Sequence, residues 1–187
     1  MESIWTKFGN FVQKRLEALG MNDLKGNYDR VVHTVAILVL VSFGLHYGTA
    51  KLLFEVLQSA EHCIKTGYGT LQPLYGGDTE DPEMGLGQGN GLAPTVWCLI
   101  SSKMMECMKN RGHGINLRAS LSTVLISFVC FAFVDDTDIP VTALDRFSTG
   151  KDVGPLFQKA IDDWAGIVRV TGGELESKKL HVTIADF

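Results

Sequence analysis

Val124-Leu-Ile-Ser-Phe-Val-Cys-Phe-Ala-Phe-Val134 is a long apolar run, interrupted only by Ser127, and Asp135-Asp136-Thr137-Asp138 follows it at once. β-Branched and aromatic side chains dominate the run, which predicts a buried strand. Two adjacent carboxylates at the end of such a strand repel each other and lose hydration, so a purely structural role explains them poorly. Divalent cations would remove the repulsion, because hard ions favour carboxylate oxygens in near-octahedral sites. The strand end therefore reads as half of a metal-binding phosphoryl-transfer site. A second acidic motif is expected elsewhere in the chain.

Asn22-Asp23-Leu24-Lys25-Gly26-Asn27-Tyr28-Asp29-Arg30-Val31-Val32-His33 supplies a candidate, with Asp23 five residues ahead of the aromatic Tyr28. In a nucleotide-polymerising site such an acid would share the metals of the strand tip. The aromatic would pack beneath the incoming sugar, where a 2′-hydroxyl collides with it. The plainer alternative is that Asp23 and Asp29 cap the following helix, a common use of Asp. A third element is Gly85-Leu86-Gly87-Gln88-Gly89-Asn90-Gly91-Leu92-Ala93-Pro94. Its glycines allow close backbone approach and positive φ, and Gln88 offers both a donor and an acceptor to a nucleotide or template base. A flexible turn leading into the next helix is its ordinary reading, since glycine-rich loops alone are weak signals.

Taken in order, Asp-x-x-x-x-Tyr-Asp, Gly-Gln-Gly ahead of a helix, and Phe-x-Asp-Asp together resemble the palm of a reverse transcriptase of the non-LTR (LINE-like) retrotransposon type. The stretch Trp164 to Leu180, which includes Thr171-Gly-Gly-Glu-Leu-Glu-Ser-Lys-Lys179, is similar to the segment those enzymes carry after the catalytic hairpin. The resemblance covers residues 21–187. It implies an α+β fold: a polymerase palm-like sheet with a catalytic β-hairpin packed on helices, with fingers and thumb largely missing. It also implies an RNA-directed DNA polymerase that transfers deoxynucleotides to a primer 3′-hydroxyl. Its cofactors would be two Mg²⁺ ions, with Mn²⁺ as a substitute, and its partners an RNA template, a DNA primer and deoxynucleoside triphosphates.

Carried over residue by residue, the resemblance gives Asp23 and Asp135 the catalytic metals, with Asp136 as the adjoining acid and metal ligand of the tip. Tyr28 would be the steric gate that selects deoxynucleotides. Gln88 and Gly89 would line the nucleotide and template pocket, and Phe133 and Val134 would join the substrate-binding set. Lys179, with Lys178 as a rival, would neutralise or protonate the leaving pyrophosphate, which a flexible ammonium suits. Phe133 replaces the commoner Tyr of the tip, and Asn90 stands where Ser is more usual.

The 187 residues and 45% hydrophobic content suffice for one domain with a core, and the net charge of -4 supplies no global basic field for nucleic acid. Cys63, Cys98, Cys107 and Cys130 lack paired spacing and read as reduced core thiols of an intracellular protein, nuclear or cytoplasmic. The five histidines (His33, His46, His62, His113, His181) lack metal-ligand spacing and read as surface or packing residues. No signal-peptide core is visible at the start. Ala36 to Leu45 falls well short of a bilayer span and reads as a buried helix, so no membrane partner is expected.

Helical spacing predicts an amphipathic N-terminal helix over residues 3–19 that stops at Gly20. On that reading residues 1–20 are a truncated lead-in, residues 21–187 form the palm, and the strand entering Asp23 has almost no room. Further helices are expected at Asp29–Gly44, Thr49–His62, Pro94–Lys109 and Val153–Val170. Strands are expected at Cys63–Tyr68, on both sides of 135–136 (Pro140 limiting the second), and at Leu180–Ile184. Nothing resembles fingers, thumb, endonuclease or RNase H regions, so the chain reads as a palm fragment of a larger polyprotein, with weak activity alone or none. Gly76-Gly77-Asp78-Thr79-Glu80 is similar to a diguanylate cyclase signature, but Pro73 and Pro82 mark an irregular loop where that signature needs a hairpin. Asp136-x-Asp138 suits an aspartate-nucleophile phosphatase, yet Pro140 stands where Thr or Val is wanted. The remaining alternative is a catalytically inactive remnant acting as an RNA- or protein-interaction fragment.

Overall fold

The computed structural model describes residues 17–72, 74–77, 84–87, 89–118, 124–143 and 148–185. In chain order the elements are β1 (Glu17–Asp23), α1 (His33–Ser42), α2 (Tyr47–Gln58), β2 (Glu61–His62), β3 (Lys65–Thr66), β4 (Gly69–Thr70) and β5 (Tyr75–Gly76). They continue with α3 (Ala93–Asn110), β6 (Ile115–Arg118), β7 (Leu125–Phe128), β8 (Phe131–Phe133), β9 (Asp136–Thr142), α4 (Gly150–Val170) and β10 (His181–Ala185). A 3₁₀ turn, Ser177–Lys179, precedes β10. Two compact units result. The first takes the described parts of Met1–Lys25, Ser101–Val170 and Glu174–Phe187, and the second takes those of Gly26–Ile100 with Thr171–Gly173.

The first unit is built on a four-stranded antiparallel sheet in the order β10-β1-β9-β8. Side chains alternate across a strand. Ala18, Gly20 and Asn22 of β1, with Thr137 and Ile139 of β9, form a buried face. α4 covers that face with a stripe spaced three and four residues apart: Val153, Phe157, Ala160, Ile161, Trp164, Ile167 and Val168. The fit is close at Gly20, where any Cβ would collide with the Phe157 ring. At the start of α4, Asp152 accepts hydrogen bonds from the Thr149 N–H (2.7 Å) and hydroxyl (2.8 Å), which holds its carboxyl below the usual range. That arrangement supplies one half of a capping box, Asp152 reaching back to the Thr149 N–H, and favours a helix start at Gly150.

The second unit packs α1 on α2, with Val31, Ala36, Leu40, Ala50 and Phe54 buried, and adds the two-stranded pairs β2–β5 and β3–β4. Val96, Trp97 and Ile100 extend its core from the first half of α3.

Several sequence expectations are corrected here. Glu17 to Gly20 belong to a strand, not to a helix ending at Gly20, while residues 3–16 of that expected helix lie outside the described residues. Small residues at alternate positions let β1 lie flat under α4, an advantage that outweighs helical spacing. The strand into Asp23 therefore has its room. The apolar run at 124–134 is not one buried strand: β7 forms a separate pair with β6, and β8 is the outer strand of the sheet. Leu125, Ile126 and Phe133 are exposed, Phe133 at 79%, while the rings of Phe128 and Phe131 meet at 4.7 Å across the break.

α1 is half-exposed rather than buried, because only one side of a mostly apolar helix finds cover among the described residues; Leu38 on the other side is 61% exposed. Cys63, Cys98 and Cys107 are exposed rather than core thiols, and none of the four cysteines is in a disulfide. Cys63–Tyr68 holds only the short β3, and the segment 78–80 of the cyclase-like signature lies outside the described residues. Pro140 does not stop its strand: β8 pairs only Asp136 to Asp138, so beyond it β9 needs no donor on that side.

Candidate metal centre

β1 and β9 run antiparallel in a register that sets Asp23 directly opposite Asp136. The same register puts the pair Asn22 and Thr137 on the covered face, so the two acids point to the other one. Asp135 sits in the two-residue turn between β8 and β9, where its carbonyl accepts the Leu24 N–H at 3.1 Å. Its neighbour Val134 adopts φ 59, left-handed backbone that a β-branched residue rarely takes. A positive φ at the first turn position matches the right-handed twist of the flanking strands. One carboxylate oxygen from each of Asp23, Asp135 and Asp136 lies within 4.8 Å of the other two.

Electrostatics make that grouping unfavourable without a cation. Burial first, and then the charges of Asp23 and Asp136, push the Asp135 carboxyl above its ordinary range. Asp138, on the same face of β9, is raised by burial and by Asp136. Asp23 is only 8% exposed, and its Oδ1 is buried with no hydrogen-bond partner. A buried, unpaired carboxylate oxygen costs free energy unless a cation or donor meets it. The donor set and the orphaned oxygen fit a hard divalent ion such as Mg²⁺.

Lys179 reaches the same place. Glu176 N–H donates to the Asp23 carbonyl (2.9 Å) and Lys25 N–H to the Glu174 carbonyl (2.9 Å), so the segment 174–176 lies alongside the end of β1. The 3₁₀ turn that follows brings the Lys179 ammonium into an ion pair with Asp23 Oδ2, which raises the Lys179 pKa. Lys178 makes no such contact in the described structure and is exposed.

Of the other expected site residues, Phe133 pairs with Asp136 at the turn end of the hairpin, and Val134 is exposed beside it. Tyr28 and Gly89 belong to the second unit. The Tyr28 N–H donates to Asn27 Oδ1 (2.8 Å), and its ring stands edge-on to Trp97 with centroids 6.3 Å apart. Gly89 is exposed with φ +91. Gln88 lies outside the described residues. The capping alternative fails: α1 starts at His33, and its N-cap Val32 offers no side-chain bond.

Sequence reasoning missed Asn22. Its Nδ2 donates to the Thr137 carbonyl (2.8 Å), and its Oδ1 accepts from Trp164 Nε1 (3.1 Å), all within the covered face. A polar residue at the inward position just before the acid was the available signal.

No protein-family model and no curated protein matches the chain. Among solved structures it is similar to apo telomerase from Candida tropicalis truncated from its C-terminal domain. That match has a TM-score of 0.58 and 13% identity over 92% of this chain. It is also similar to Candida tropicalis telomerase in complex with a TWJ fragment of telomeric RNA (0.59, 12%, 97% of this chain). The Candida albicans counterpart of that complex gives 0.57 and 13% over 89%. The chain shares its fold with these telomerase structures. It spans 31%, 28% and 27% of the three telomerase chains, respectively. Among the described residues no helix is long and apolar enough to cross a membrane.

Proposed function

We propose that this chain is the palm of an RNA-directed DNA polymerase of the non-LTR retrotransposon kind, transferring deoxynucleotides to a primer 3′-hydroxyl on an RNA template. One observation carries the reading: Asp23, Asp135 and Asp136, distant in sequence, bring their carboxylate oxygens within 4.8 Å of one another at one end of an antiparallel sheet. The telomerase-like fold supports the same class of chemistry.

Asp23, Asp135 and Asp136 would hold two Mg²⁺ ions, which when bound lower the pKa of an attacking hydroxyl and stabilise the entering and leaving oxygens of an in-line displacement. The protein's own part is positional. The tight turn at Val134 and Asp135 fixes two of the acids, and β1 fixes the third. Lys179 neutralises Asp23 in the free chain and supplies a mobile cation for the leaving pyrophosphate. Phe133 offers an exposed apolar ring to the primer–template. Tyr28, braced on Trp97, serves as the gate against ribonucleotides, and Gln88 and Gly89 line the nucleotide pocket.

Primer extension on an RNA template tests the proposal, with the chain supplied with the remaining polymerase segments of a related enzyme. Extension that requires Mg²⁺ and is abolished by Asp135→Asn is the expected result. Equal extension by that variant would remove the assignment, and absence of extension with intact cation binding would favour the inactive-remnant alternative.

A further inference from the structure

His33, at the start of α1, is 9% exposed and bridges two segments of the second unit. Its Nε2 lies 2.5 Å from the Gly85 carbonyl oxygen, and its Nδ1 lies 3.0 Å from the Gln58 amide nitrogen. A carbonyl only accepts, so Nε2 carries the proton and the Gln58 amide donates to Nδ1. Both ring nitrogens are engaged, which leaves none for a ligand or a proton-transfer step. Phe54 packs against the ring at 4.8 Å.

The carbonyl that His33 holds belongs to the glycine loop at its closest approach to Tyr28. Gly85 has φ +81, and a Cβ there would stand 2.5 Å from the Asp29 carbonyl carbon and from the Tyr28 oxygen. Leu86 N–H then donates to that Tyr28 oxygen at 2.6 Å. One imidazole thus clamps Gly85, Leu86 clamps Tyr28, and a cavity of about 300 Å³ opens beside them, lined by His33, Met84, Leu86, Gly87 and Asn90 among others.

We infer that His33 is a positioning residue for sugar selection: by tying Gln58 to Gly85 it holds the glycine loop against Tyr28 and fixes how closely that ring approaches an incoming sugar. The inference rests on the polymerase reading above. A histidine that only filled space would not need a donor aimed at the loop carbonyl.

The test compares the full chain with His33→Leu, which keeps bulk and loses the donor, and His33→Gln, which keeps a donor. Binding of dGTP and GTP with Mg²⁺ is measured by calorimetry, and hydrogen exchange at the Leu86 amide is followed in the same proteins. In His33→Leu the dGTP-over-GTP preference should fall roughly three- to tenfold, the scale of one lost hydrogen bond. The Leu86 amide should exchange faster, and His33→Gln should restore both. Adding His33→Leu to Tyr28→Ala should cost no further preference, because His33 acts only through that ring. An unchanged preference and unchanged Leu86 protection in His33→Leu would overturn the inference while leaving the polymerase reading intact. A parent chain that binds both nucleotides equally would overturn both. Should His33→Leu fail to fold, His33→Gln decides alone: loss of preference with Leu86 protection retained would overturn the clamp.

Discussion

Asp23 on β1 and Asp136 on β9 are direct cross-strand partners, and the residues just inside them, Asn22 and Thr137, are partners on the opposite face. The two pairs divide the work. One closes the sheet against α4, and the other gathers negative charge on the other face beside Asp135. A slip of one residue would exchange them, burying a carboxylate against Trp164.

Asn22 resists that slip through its bonds to Trp164 and to the Thr137 carbonyl. Asn22→Leu would leave a buried indole N–H and a carbonyl without this partner, at a cost of about 1–3 kcal/mol. Urea unfolding should show the loss as an earlier midpoint with unchanged slope. A midpoint equal to the parent's would mean the amide holds nothing in place.

Gly20 is required by the ring above it. Gly20→Ala should destabilise by roughly 1–3 kcal/mol through overpacking against Phe157. Combining it with Phe157→Leu should recover part of the loss, since the clash and its relief involve the same space. Strictly additive thermal shifts would show that the two side chains do not meet there.

Asp163 collects three partners: the cations Lys159 (2.8 Å) and Arg111 (2.5 Å), and the His113 ring (2.7 Å). Lys159 and then His113 hold its carboxyl well below the usual range. A depressed folded pKa gives stability that is present above the unfolded value, near 4, and is lost as pH falls toward the folded one. The melting temperature should therefore drop on acidification below about pH 4, and less steeply in Asp163→Asn. Parallel acid limbs in the two proteins would show that the cluster adds no pH-dependent stability.

Cys130 lies half-buried between β7 and β8, and burial pushes its thiol up to about 11. Little of it is thiolate near neutrality, so iodoacetamide should label Cys63, Cys98 and Cys107 well before Cys130. Peptide mapping across a time course reads this order directly. Cys130 reacting among the first would contradict the burial assigned to it.

The acids of the candidate site were legible because they are residue types placed at turns and strand ends. Asp135-Asp136 after an apolar run and Asp23 ahead of Tyr28 suggested that these acids meet, and the structure brings the three together. Helices with one polar side, such as α3 and α4, were also readable from their spacing. What escaped detection was set by contacts far apart in sequence. β1 reads as helix because Leu16 and Leu19 fit a helical stripe, yet Gly20 makes sense only against Phe157, more than a hundred residues later. The exposure of Leu125, Ile126 and Phe133 was hidden for a similar reason, since an apolar run does not say whether anything covers it. His33 looked like a packing residue because its partner Gly85 carries no side chain.

Cation uptake by the chain itself probes the account most directly. Mn²⁺ would be titrated into the parent, Asp23→Asn and Asp163→Asn proteins, and free ion followed by its paramagnetic resonance signal. The account predicts that the parent binds Mn²⁺ and releases it to excess Mg²⁺. Asp23→Asn should bind at least roughly tenfold more weakly, and Asp163→Asn as well as the parent. Uptake by Asp23→Asn equal to that of the parent would contradict a metal centre built on Asp23, Asp135 and Asp136.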